Sequence, residues 1–290
     1  LRGILRTRGE LSRKDTLTAS LTNVLYRPGI KQWAEAMTGA CAACKSGTEL
    51  RFAFKMAFQP IVDVTQNRVW GYEALVRGPN GESAQSVLSQ LTDDQLYRFD
   101  QAARVMAIET AGRLFDDPAA RLSINFMPNA VYEPRACIQK SLEAARRANF
   151  PPRNLMFEFT ENERMNDPAH VENIVASYKK LGFLTALDDF GAGYAGLNLL
   201  ARLQPDLIKI DMELLRDIHL VRSKQVIVSG LASMARQLDI TVLAEGVESE
   251  AELTVLRAAG ITLFQGYYFA KPAFMSLPSI TSPGGVFAAG

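Results

Sequence analysis

Two adjacent aspartates, Asp188 and Asp189, close an apolar run and open a stretch of small residues in TALDDFGAGYAGL (185–197). Carboxylates this close raise each other's pKa unless positive charge lies between them. Other polar groups fall late in β-rich segments: Glu73 in RVWGYEALVRG (68–78), Asn125 in RLSINFM (121–127), Glu158 in NLMFEFTE (154–161), Lys209 in LIKID (207–211), Glu245 in TVLAEGV (241–247) and Gln265 in TLFQGYYFA (262–270). Each alone has a plain reading, such as an edge charge for Glu73, a turn former for Asn125 or a solvated strand end for Lys209. Together they gather carboxylates that only cations would make tolerable. Oxygen donors with one amide, and neither His nor Cys, favour Mg2+ or Mn2+ over zinc. Adjacent aspartates suit two ions about 3.5–4 Å apart, one carboxylate bridging, and the chemistry of such a site is attack of an activated water on a phosphodiester.

These side chains meet only if the strands that carry them close into one mouth. MAFQPIVDV (56–64) and FLTALDDF (183–190) complete eight strand candidates. Amphipathic runs lie between them at 92–115, 136–149, 169–182, 223–239 and 249–260, the last opening with a Ser249/Glu252 capping box. Strands alternating with helices predict a TIM-like (β/α)8 barrel, whose site lies at the C-terminal strand ends. Only DVTQN (63–67) separates the first two strands, so they are expected to pair as an antiparallel hairpin. A doubly wound sheet would carry a glycine-rich phosphate loop after its first strand, and none is found. Residues 1–50 read as a linker or leading helix, with a short helix at 31–38, 51–275 as the barrel and 276–290 as a tail.

The chain has 290 residues, 48% of them hydrophobic, and a formal charge of +1, which gives no basic field for a nucleic-acid polymer. The apolar runs are shorter than a membrane span needs, so a cytoplasmic location and no membrane contact from this segment are expected. An upstream sensory domain, or a membrane attachment through it, is compatible with a chain that begins at Leu1. Cys41 and Cys44 form a lone CAAC and Cys137 stands apart, which fits reduced thiols better than zinc; His170 and His219 are isolated.

The motifs FQPIVD (58–63), YEALVRG (72–78), SINFMP (123–128), FEFTE (157–161), DDFGAGYAGL (188–197), IKID (208–211), AEGVE (244–248) and QGYYFAKP (265–272) resemble, in order, those of the EAL-domain cyclic di-GMP phosphodiesterases of bacteria. The resemblance implies that Glu73, Asn125, Glu158 and Asp188 hold one metal and that Asp188, Asp189 and Glu245 hold the second. It implies that Lys209 contacts the attacking water and Glu248 orients that network, with Glu73 a catalytic as well as a ligand position. Gln59, Leu75, Arg77 and Gln265 would contact substrate, and Glu161 would anchor the loop after Asp189. The implied reaction is hydrolysis of cyclic di-GMP to the linear dinucleotide pGpG, with a homodimer as the expected assembly.

The loop departs from the commoner pattern, which has hydroxyl residues where Ala192, Ala195 and Gly196 stand. Fewer hydroxyls and three glycines, at 191, 193 and 196, predict a mobile loop whose ordering controls metal occupancy. A β-branched residue at Gly193 should then lower activity. The alternatives are a catalytically silent cyclic di-GMP receptor, which would usually lack a metal ligand, and an unrelated barrel hydrolase acting on sugar phosphates, which would leave the motif series unexplained.

Overall fold

A computed structural model describes residues 50, 52–131, 133–160, 167–193 and 196–280. The leading segment with its 31–38 helix, Cys41, Cys44 and Glu161 lie outside the described residues. Strands β1 (Lys55–Asp63), β2 (Arg68–Arg77), β3 (Arg121–Asn125), β4 (Leu155–Thr160), β5 (Leu184–Phe190), β6 (Leu207–Ile210), β7 (Thr241–Ala244) and β8 (Leu263–Phe264) pair in that order, and β1 closes the ring against β8. β1 runs antiparallel to both neighbours, while β2 to β8 are parallel. The result is the expected TIM-like (β/α)8 barrel with a reversed first strand. The hairpin turn is held by Asp63 Oδ1, which accepts the amides of Thr65 and Gln66, each at 2.9 Å. A short strand β9 (Ala273–Phe274), not foreseen, pairs with Ala57 and Phe58 on the edge of β1 that meets β8 at Val62 and Asp63.

The helices are α1 (Ala84–Leu88), α2 (Leu96–Leu114), α3 (Pro134–Cys137), α4 (Gln139–Arg147), α5 (Pro168–Lys180), α6 (Gly196–Leu203), α7 (Met212–Leu215), α8 (Arg222–Gln237) and α9 (Glu250–Ala258). The run at 136–149 is broken into α3 and α4 at Ile138, and α1 and α7 were too short to show a period. Ser249 and Glu252 form the capping box of α9. No helix of the described residues is long and apolar enough to cross a membrane.

Alternate residues of a strand face opposite sides, and in this barrel that rule builds two rings. Ile61, Met156, Ala186, Leu207, Leu243 and Leu263 form a buried apolar cluster inside the barrel. Two residues further along β4 to β8 stand Glu158, Asp188, Lys209, Glu245 and Gln265; on the reversed β1 the corresponding residue lies two earlier, at Gln59. An apolar floor therefore supports a polar ring. The odd-parity residues Phe157 and Phe159 face the helices, where Phe126, Tyr178 and Phe183 pack on them at centroid distances of 5.1–6.1 Å.

A separate buried charge group lies in this helix layer. Arg104 and Asp100, one turn apart on α2, pair at 2.6 Å with side chains 0% and 1% exposed. Asp100 also accepts the amide of Met127 at 3.0 Å, and Arg104 Nη1 donates to the Tyr178 hydroxyl at 3.4 Å. Burial pushes the Tyr178 phenol up to about 12.

Candidate active site

Lys209 Nζ occupies the centre of the polar ring. It lies 2.8 Å from Glu158 Oε2, 2.8 Å from Glu245 Oε1, 3.1 Å from Asp188 Oδ1 and 3.7 Å from Glu73 Oε1. Its side chain is 1% exposed, so the plain reading of a solvated strand end does not hold. At an effective dielectric of 20, attraction across 2.8 Å is roughly 6 kcal/mol, comparable to the several kcal/mol lost when each ion leaves water. Lys209 sums such attractions over four carboxylates, whereas each of those acids shares this one ammonium with three others. Burial alone would depress the Lys209 pKa, but the surrounding carboxylates together hold it well above the usual lysine value. The unmatched acids also shift upward, which for them favours the neutral form: burial, reinforced by Glu73 and Asp188, pushes Glu158 up to about 8 against the pull of Lys209. Glu245 is raised by burial and by Asp188 and Glu73.

Neighbouring amides and hydroxyls fix the acids. Glu73 Oε1 accepts Asn125 Nδ2 at 3.0 Å, and its Oε2 accepts Gln265 Nε2 at 2.7 Å. Gln265 Nε2 also reaches Gln59 Oε1 at 3.2 Å, while Gln265 Oε1 is buried without a partner. Ser123 donates a short hydrogen bond to Glu158 Oε1, and Thr160 Oγ1 donates to Asp189 Oδ2 at 2.9 Å. Sequence reasoning missed both hydroxyls. Strand parity would have found them, because Ser123 stands two before Asn125 and Thr160 two after Glu158.

Asp188 and Asp189 should face opposite sides of β5, yet both carboxylates reach the mouth. Asp189 has φ +54°, the left-handed conformation that Asp tolerates better than most residues, and the β5–β6 register shifts between Leu187 and Phe190. The Asp189 amide then donates to Asp188 Oδ1 at 2.9 Å. Oxygens of Glu73, Glu158 and Asp188 lie within 4.8 Å of one another, as do oxygens of Asp188, Asp189 and Glu245. Asp188 belongs to both sets, and both have the hard-donor chemistry suited to Mg2+ or Mn2+.

The remaining predicted residues lie around this centre. Leu75 lines a cavity of about 370 Å³ that includes Asn125, Thr160, Met56, Phe99 and Met127. Arg77 Nη1 donates to the carbonyl of Val76 at 2.7 Å. Glu248 is not in the Lys209 cluster: its carboxylate pairs with Arg216 at 2.7 Å. The loop it occupies is held by Glu252, whose Oε1 accepts the Asp217 amide at 3.0 Å and whose Oε2 accepts the amides of Glu248 and Ser249 at 3.0 and 3.1 Å. Burial opposes the charge on Glu252, but these amides, Ser249 and Arg216 hold its pKa below the ordinary value. Behind the same loop, a Cβ on Gly266 would meet the Val247 carbonyl oxygen at 2.1 Å, so glycine is required for this close approach.

Fold and site together define an acid-lined barrel of eight strands with one strand reversed. The chain belongs to the EAL domain family, whose model matches residues 49–272. It is 33% identical over 227 residues to the blue light- and temperature-regulated antirepressor BluF of Escherichia coli, covering 78% of this chain and 56% of BluF. It is 27% identical over 219 residues to the probable cyclic di-GMP phosphodiesterase PdeA of the same organism, covering 69% of this chain and 30% of PdeA. Among solved structures it resembles a standalone versatile EAL protein from Vibrio cholerae O395 in its c-di-GMP bound form, with TM-score 0.77, 54% identity and coverage of 80% of this chain and 98% of that one. A manganese/cy-diGMP complex of Klebsiella pneumoniae BlrP1 aligns with TM-score 0.74 at 35% identity, covering 81% and 60% of the two chains. The chain spans about half the length of BluF and less of PdeA.

Proposed function

We propose that this barrel hydrolyses one phosphodiester of cyclic di-GMP to give the linear dinucleotide pGpG. The observation that carries the reading is charge. Glu73, Glu158, Asp188, Asp189 and Glu245 with Lys209 leave the mouth a formal four positive charges short, the charge of two divalent ions. Glu73, Asn125, Glu158 and Asp188 would hold one Mg2+ or Mn2+, and Asp188, Asp189 and Glu245 the other. Bound ions of this kind supply neutralisation of the phosphate and acidification of a water. The chain's own part is orientation: Gln265 and Asn125 fix Glu73, Ser123 fixes Glu158 and Thr160 fixes Asp189. Lys209 contacts the attacking water from the centre of the ring. Glu248, through Arg216, steadies the loop next to Glu245. Leu75, Arg77, Gln59 and Gln265 contact the substrate, with Arg77 suited to a phosphate oxygen. A homodimer and an upstream sensory domain in the whole protein belong to the same reading.

Turnover of cyclic di-GMP in Mg2+ or Mn2+, abolished by chelator and by Glu73→Ala, is the expected result. Turnover that survives chelation would remove the two-ion mechanism. A second reading, a receptor that binds the dinucleotide without cleaving it, is favoured by the likeness to BluF, which is named an antirepressor. Binding without turnover in either metal would select it.

A further inference from the structure

Between Arg77, the last residue of β2, and α1 the chain makes the turn Gly78-Pro79-Asn80-Gly81-Glu82, which holds the one Asn–Gly pair of the sequence. The side-chain amide of Asn is an electrophile within reach of the next residue's backbone nitrogen, and glycine puts no side chain in the way of that attack and adds backbone freedom. Residues 79–82 are exposed and lie outside helix and strand, so water reaches the pair. Gly81 has φ +95°, and a Cβ there would meet nothing among the described residues nearer than Phe274 at 4.0 Å. Packing therefore does not oppose a change of backbone at this point. What holds the turn is Glu82. Its Oε2 accepts the Asn80 amide at 2.9 Å and its Oε1 accepts Asn80 Nδ2 at 3.0 Å. The Glu82 carbonyl accepts the Gly78 amide at 2.9 Å, and the Gly78 carbonyl accepts the Gly81 amide at 3.0 Å. The carboxylate lies so close over Gly78 that a Cβ there would overlap Oε2. Gly78 is buried and follows Arg77 directly, so this clamp fixes the strand end that carries Arg77.

We propose that Asn80 is a self-modification site whose product releases the clamp. Gly81 N bonds to Asn80 Cγ, the Cγ–Nδ2 bond breaks, and ammonia leaves with the Gly81 amide proton to give a cyclic imide. Water then opens the ring at Cγ to give aspartate, or at the Asn80 backbone carbonyl to give isoaspartate. One water is consumed and one ammonia released, with no oxidant or reductant. Either product removes the donor that Glu82 Oε1 accepts and adds a carboxylate to the turn, so repulsion stands where a hydrogen bond held. Glu82 also sets the pace, because the step requires local opening of the bonds it makes to Asn80.

The test holds the full chain in mildly alkaline heavy-oxygen water and maps its peptides by mass over time. Label is expected at Asn80, as both aspartate and isoaspartate, and roughly tenfold faster in Glu82→Ala, which lacks two hydrogen bonds to Asn80. No label at Asn80 while the excised 78–98 peptide converts, or equal rates in parent and Glu82→Ala, would overturn the proposal. Asn80→Asp, made directly, should speed hydrogen exchange of the Gly78 and Gly81 amides several-fold; unchanged exchange would show the clamp intact and count against it. These readouts need no substrate. On the function proposed above, in which Arg77 contacts substrate, Asn80→Asp should also raise KM several-fold with kcat kept. A parent without turnover would sink that function, while labelling and exchange would still decide this inference.

Discussion

Two clusters of buried charge lie among the described residues, one on each side of the barrel wall. Under α2, Asp100 and Arg104 are matched one to one, and every oxygen of the carboxylate has a named donor. In the mouth, Lys209 faces Glu73, Glu158, Asp188 and Glu245 with no other cation paired to them among the described residues. The first is complete and sealed. The second is short of positive charge and reaches solvent through Asp188 and Glu245, whose side chains are 13% and 18% exposed. Burial by itself does not mark a functional site; imbalance that an outside ion can correct does.

The sharpest way to break this contrast is to remove one charge from each cluster. Asp188→Asn should lower turnover by about a thousandfold or more, yet leave the melting temperature unchanged or raised, because it removes a like charge from an excess. A large drop in melting temperature would place the mouth with the structural cluster. Arg104→Met should do the reverse. It strands Asp100 in the interior and should cost about 3–5 kcal/mol in urea unfolding, with turnover per folded molecule retained.

Lys209→Met tests whether ions and ammonium answer the same charge. In chelator the variant should lose about 3–5 kcal/mol of stability, and Mn2+ should recover more of it than it adds to the parent. Equal Mn2+ stabilisation of both proteins would contradict that. Glu252→Gln should cost about 1–3 kcal/mol near neutral pH, from weakened charge-assisted bonds to amides. The folded pKa is depressed, so this stability is present above the ordinary carboxylate pKa and is lost as pH falls through the folded value. The difference between variant and parent should therefore vanish in acid; a pH-independent difference would mean shape rather than charge. Smallest is Thr160→Val, which should weaken Mn2+ binding about tenfold through Asp189 while the unfolding midpoint barely moves.

Much of the mouth was legible because strand parity writes it into the sequence: an apolar residue, one outward residue, then a polar one. Asp188–Asp189 was legible as a pair but not as a geometry, since no pattern announces that Asp189 would turn left-handed. Lys209 was read at a strand end without its central place, because all four acids that surround it come from other strands. Asp100 and Arg104 escaped altogether. An acid and a base four apart on a helix look the same in sequence whether they face water or the interior, and only the packing of Met127 and Tyr178 decides. Glu248 shows the opposite limit: its motif is plain, yet its partner Arg216 lies 32 residues earlier on another loop.

The floor and the polar ring, two residues apart on β1 and on β4 to β8, also give the barrel an odd–even logic for insertions and deletions. Removing one residue from β4 upstream of Glu158 would slip the phase by one, bringing Phe157 or Phe159 into the mouth and sending the acid among the aromatic rings under α5. Removing two would keep the phase and only change the depth. Length changes within these strands should thus be tolerated in pairs, if at all, while the loops beyond the polar ring can vary by single residues. Reading frames have this property in genes; here the frame is two residues long and is set by the pleat.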